Sequence, residues 1–180
     1  DDTRTLARAW VVDNVPERSK IVVEPIVPDA WAQDVGHPSP LTKNGNRWIK
    51  FAASRTRVAE DGTMLPPPGR VVGIEDYERT LYPGLIDDYE AGGYCWVIVG
   101  STQAGRAEAE PKAVPQAGAY YRELARRGTL VYHVAPFHAG VRPVPFNFDW
   151  SFDYYPGAYE RPGPEIWIYR LNGGLCAGVP

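Results

Sequence analysis

The run Gly93-Tyr94-Cys95-Trp96-Val97-Ile98-Val99-Gly100-Ser101 is apolar, rich in β-branched and aromatic side chains, and bounded by glycines. It is too short for a helix and too uniform for a surface strand, so it predicts a strand buried on both faces. Helical patterns flank it at Tyr82 to Ala91 and Val114 to Arg127, and a second apolar run follows at Thr129 to Ala135. The order helix, strand, helix, strand reads as a βαβ unit seen from its middle, with the rest of the chain packed around that strand.

Working outward, Asp1 and Asp2 suit a helix N-terminus, where a carboxylate caps free amides. Leu6, Ala7, Trp10, Val11 and Val15 share one side of the helix they open, and Pro16 ends it. Lys20 to Glu24 is the next apolar strand, closing on an acid. Residues 26–73 are irregular, carrying Asn44-Gly45, Asp61-Gly62 and Pro66-Pro67-Pro68. They read as an insertion with short strands at Arg47 to Ser54 and Arg70 to Val72. Thr102 to Lys112 reads as a loop, Pro136 to Gly163 as an aromatic and proline-rich connection, Glu165 to Leu171 as a last strand, and 172–180 as a flexible tail. The expected fold is a single α/β domain over 1–180. It has three layers, with a mostly parallel or mixed sheet of about four to six strands, helices on both faces, and long Pro/Gly/aromatic loops.

Composition narrows the function. Hydrophobic residues make up 44% and charged residues 23%, as in an ordinary folded domain, and the net charge of −3 with no Lys/Arg cluster argues against nucleic acid as a partner. No apolar run reaches the roughly 18 residues needed to span a bilayer. The only methionine is Met64, and the chain is expected to be a piece of a larger protein. Cys95 and Cys176 allow one disulfide without requiring it. Within the strand a buried free thiol is the blander reading of Cys95.

Tests for known chemistry mostly fail. Gly100 to Ala107 follows the central strand as a phosphate loop would. However, Arg106 stands where that loop needs lysine, Ala107 lacks the magnesium-binding hydroxyl, and Pro111 and Pro115 follow where a helix is required. Ser101 is not in a G-x-S-x-G context. His37, His133 and His138 have no zinc spacing, no cofactor is indicated, and His133 reads as a packed or edge residue of its strand. Asp149 and Asp153 are the one carboxylate pair suited to glycosidic acid/base work, against a reading in which they cap turns of an aromatic loop.

Sugar binding has broader support than sugar cleavage. Trp150, Tyr154, Tyr155, Tyr159 and Arg161 combine aromatic faces with hydroxyl-bonding groups, although the same aromatics would also cover a core. Geometry adds the carboxyl ends of the strands, where open α/β sheets bind ligands: Glu24, Ser101 and Thr102 lie there, with Arg106 close in sequence. A buried Glu24 needs a partner, for which Arg4 and Arg106 are the candidates.

Three stretches together resemble a known family. They are Asp2-Thr3-Arg4 with Ala7, Trp10, Asn14-Val15-Pro16, Ser19-Lys20-Ile21 and Glu24; then Gly93 to Ser101 with Arg106, Tyr121, Leu124 and Pro136; then Arg161-Pro162-Gly163-Pro164-Glu165-Ile166-Trp167-Ile168-Tyr169-Arg170-Leu171. In this order they are similar to the hydrophilic C-terminal region of polytopic C-type glycosyltransferases resembling dolichyl-phosphate-mannose protein mannosyltransferases, especially actinobacterial members. Residues 26–73 have no counterpart there, and Cys95-Trp96 departs from the family's usual strand. The resemblance implies an accessory domain outside the cell membrane, tethered through transmembrane helices of its own chain. It implies a polyprenyl-phosphate sugar donor, a glycan or glycoprotein acceptor, and a catalytic acid elsewhere. The alternatives are a secreted glycan-binding module and a small carbohydrate-active hydrolase using Asp149 and Asp153.

Overall fold

The computed structural model describes residues 1–25, 47–51, 57–58, 64–65, 74–142 and 157–179. A five-stranded sheet forms its centre, in the order β2-β1-β5-β7-β6. The strands are β1 (Lys20–Val23), β2 (Ile49–Lys50), β5 (Tyr94–Gly100), β6 (Gly128–Val134) and β7 (Ile166–Leu171), while β3 (Arg57–Val58) and β4 (Met64–Leu65) pair separately. The helices are α1 (Thr3–Asn14), α2 (Leu85–Gly92), α3 (Ser101–Ala109) and α4 (Pro115–Arg127), with 3-10 turns at Ile74–Thr80 and Gly174–Cys176. The fold is α/β with a mixed sheet. β1 runs parallel to β2 and β5, whereas β7 is antiparallel to both β5 and β6.

β5 is the middle strand, and Cys95 to Gly100 are all buried, as a run with no polar alternation requires. Trp10 of α1 meets Trp96 edge-on at 6.3 Å and stacks on Tyr132 at 5.1 Å, so α1 covers the face bearing Trp96 and Tyr132. Strand alternation sends Val22, Glu24, Val97 and Val99 to the other face, where α4 lies and where Tyr120 of α4 meets Tyr89 of α2. Asp2 caps α1 by accepting the Arg4 N–H at 2.8 Å, and Ala7, Val11 and Val15 are buried along one side. Gly93 ends α2 in the left-handed conformation at φ 75°, which favours glycine.

Four expectations need correction. First, β5 and β6 are not neighbours: β7 enters between them, so the expected βαβ unit is split by an antiparallel strand. Second, Thr102 to Lys112 is not a loop, because α3 starts directly after β5. Its Gln103, Ala104, Arg106, Ala107, Glu108 and Ala109 are good helix formers, and Pro111 ends the segment rather than preventing it. The absent Lys and hydroxyl still separate it from a phosphate loop. Third, Cys95 is not a free thiol but is bonded to Cys176, with Cα atoms 5.3 Å apart. Fourth, the tail is therefore anchored up to that cysteine, and Gly173 N–H also donates to Glu90 Oε1 at 3.1 Å. Arg127 of α4 pairs with Glu90 and, at 2.6 Å, with Asp87, so α2, α4 and the tail are tied at one place.

The turn expected at Asn44-Gly45 and the strand at Arg70 to Val72 lie outside the described residues. So do Asp149, Trp150, Asp153, Tyr154 and Tyr155.

Candidate functional site: the carboxyl edge of the sheet

The carboxyl ends of β1, β5 and β6, the start of β7 and the start of α1 meet at one edge of the sheet. Its interior group is Glu24, which follows β1 and is completely buried. Its Oε2 accepts the Gly100 N–H at 3.0 Å and its Oε1 accepts the Tyr121 hydroxyl at 2.8 Å. Neither expected arginine reaches it. Arg4 is held by Asp2 at 2.6 Å, and Arg106 lies 3.8 Å from Glu78 on the neighbouring 3-10 turn. A neutral donor pair has replaced the expected ion pair.

Burial pushes the Glu24 carboxyl up to about 8, against the opposing pull of the Gly100 and Tyr121 bonds, and nearby Glu78 adds to the rise. Burial thus favours the protonated carboxyl, and on protonation the bond to Tyr121 reverses: the carboxylate Oε1 accepts from the Tyr121 hydroxyl, whereas the protonated carboxyl donates to its oxygen. Burial likewise pushes the hydroxyls of Tyr77, Tyr120 and Tyr121 well above the usual tyrosine range. Gln103 is fully buried on α3, one turn before Arg106, and neither atom of its amide is hydrogen-bonded. Each such group costs stability, about 1–3 kcal/mol, so this end of the domain is kept polar against a thermodynamic penalty.

Because the native pKa of Glu24 is raised, its contribution to stability is fully present below the unfolded value near 4.5 and is lost as pH rises to about 8. Glu24→Gln imitates the protonated form, its oxygen on Gly100 N–H and its amide nitrogen on Tyr121. Unfolding curves taken from pH 4.5 to 9 are expected to show wild type losing stability relative to Glu24→Gln as pH rises. A difference that stays flat across that range would show that Glu24 does not ionise with a raised pKa.

Ser101, the first residue of α3, sits beside Glu24 through Gly100. Its N–H donates to the Glu165 carbonyl at 2.8 Å, and its hydroxyl accepts the Glu165 N–H at 3.0 Å. Thr102, half-buried, begins the same helix. Glu165 in turn reaches β6, with Oε1 lying 2.7 Å from His133 Nε2, and the His133 ring stacks on Trp167. The edge therefore joins Glu24, Ser101, Glu165 and His133 in one connected series.

Tyr159 and Arg161 lie further along, where the chain returning towards β7 pairs with the chain leaving β6. Tyr159 bridges Phe137 with rings 5.2 Å apart, and Arg161 binds Glu160 at 2.6 Å. Next to them Thr3 N–H donates to the Pro162 carbonyl at 3.0 Å.

Sequence reasoning located Glu24 and Ser101 and missed the Glu165–His133–Trp167 group. The signal for it was present: Glu165 and Trp167 are two apart in an alternating strand, so they share a face. Which residue of β6 stands opposite them depends on the pairing register, which the sequence does not reveal. Among the described residues no group of three His, Cys, Asp or Glu is placed to hold a metal ion, and no helix is long and apolar enough to cross a membrane. Comparison of the chain with protein-family models, with curated proteins and with solved structures gives no match in any of the three.

Proposed function

We propose that this chain is an extracytoplasmic accessory domain of a membrane glycosyltransferase that uses a polyprenyl-phosphate sugar donor, and that it does not catalyse transfer alone. The observation that carries the reading is the meeting of the three family-like stretches. Thr3 from the first bonds Pro162 from the third, and Glu24 from the first bonds Gly100 and Tyr121 from the second. Stretches that separately resemble the family thus lie together in space. The Cys95–Cys176 disulfide adds support, since such bonds persist in oxidising compartments outside the cytosol.

The test is made in the cells that produce the protein. With an antibody to this domain, the chain is expected in the membrane fraction after an alkaline carbonate wash, and to be labelled on intact cells by an impermeant amine-reactive biotin. Recovery from the culture medium would favour the secreted glycan-binding module, and recovery from the cytosol would defeat both. Sugar transfer by the isolated chain would overturn the accessory role, and hydrolytic sugar release would overturn it in favour of the hydrolase reading built on Asp149 and Asp153.

A further inference from the structure

His133 of β6 stands directly opposite Trp167 of β7 in the sheet register. Their rings lie nearly parallel, with an interplanar angle of 13° and centroids 5.8 Å apart, so they form an offset aromatic stack. The His133 side chain is 43% exposed and Glu165, beside it, 17%. Only one atom of each polar group is used within the protein: His133 Nε2 and Glu165 Oε1 hold each other, leaving Nδ1 and Oε2 open among the described residues. The Ser101 hydroxyl accepts from Glu165 N–H and keeps its own hydrogen to donate.

An ion pair of this kind at the surface stabilises a fold by only about 0–1 kcal/mol, so stability alone does not account for holding an exposed imidazole against the half-buried Trp167 ring. The chemistry selects a ligand. The Glu165 carboxylate, on a chain of net charge −3, disfavours phosphates and other anions. Two ligating side chains are too few for a tightly held metal. A purely apolar ligand would strand the open polar atoms. A neutral ring with one C–H face and several hydroxyls satisfies all of them.

We propose that His133, Trp167 and Glu165, with the Ser101 hydroxyl beside them, form a subsite for one pyranose residue of a glycan. The sugar's C–H face lies against the exposed outer side of this aromatic stack, and neighbouring hydroxyls donate to Glu165 Oε2. That this glycan is the acceptor of the parent transferase rests on the function proposed above, whereas the subsite itself does not.

The test uses the whole chain with its disulfide intact, and methyl α-D-mannopyranoside and methyl β-D-glucopyranoside as probes. The Trp167 indole N–H resonance, assigned by its loss in Trp167→Phe, is expected to shift saturably with at least one of them, with a dissociation constant on the order of millimolar. Glu165→Gln is expected to weaken that binding about tenfold, the value of one charged hydrogen bond. The indole resonances of Trp10 and Trp48 stay in place as a check on folding. No saturable shift with either glycoside overturns the subsite, and so does a shift that Glu165→Gln leaves undiminished in a folded protein. Binding by a protein found in the cytosol would sink the membrane reading and leave the subsite standing. An outward-facing membrane domain that binds neither glycoside would do the reverse.

Discussion

Gly163→Ala is expected to lower the thermal unfolding midpoint by roughly 10 °C, from a loss of at least about 3 kcal/mol. Gly163 has φ +105°, where an L side chain is strained, and a Cβ there would run into Thr3 Oγ1 and the Asp2 carboxylate. Neither obstacle can retreat easily. Thr3 is fully buried with its N–H on the Pro162 carbonyl, and Asp2 is the α1 cap. Burial alone would raise the Asp2 carboxyl, but its bonds from Arg4 hold it below the usual range, and shifting Asp2 would give up that stabilisation too. The check is calorimetry of the variant beside wild type. A midpoint within two or three degrees of wild type would mean that this corner of the domain is looser than its geometry indicates.

Reduction of the Cys95–Cys176 bond is expected to have an effect of similar size. The bond joins residues 81 apart in sequence, and closing a loop of that length restricts the unfolded chain by about 4–5 kcal/mol on the chain-entropy account. Both sulfurs are buried, at 4% and 1% residue exposure, so the bond is expected to resist mild reductant until the protein unfolds. A Cys95→Ala/Cys176→Ala double variant is expected to unfold at about 1–2 M lower urea. Equal midpoints would assign the bond a negligible stabilising role, and labelling of either thiol in the unreduced native protein would show that it does not form in solution.

Local pattern in the sequence was enough for most elements. The uniform apolar run of β5, the one-sided helix after Asp2 and the alternating β7 appear where expected, because burial of one face or of both writes itself into residue order. Pairing does not. That β7 lies between β5 and β6 depends on contacts between distant segments, and a βαβ reading is the natural default without them. α3 was hidden because Pro111 and Pro115 outweighed a short run of good helix formers. At the site, the burial of Glu24 was legible from its place at a strand end. Its partner was not, since Tyr121 reads equally well as a core residue of α4, and the two arginines were committed to Asp2 and Glu78. Cysteine pairing across 81 residues and the His133–Glu165 contact are likewise matters of distance in space.

The placement of β7 also sets an order of events during synthesis. β5 and β6 both have it as a neighbour, yet it is made after both of them. A nascent chain that has reached β6 carries two strands that are not neighbours in the folded sheet, and each offers an open backbone edge. Residues 166–171 join β5 to β6, so a polypeptide stopped just before Ile166 leaves one edge of β5 and the whole of β6 unpaired rather than forming a slightly smaller domain, which exposes it to aggregation.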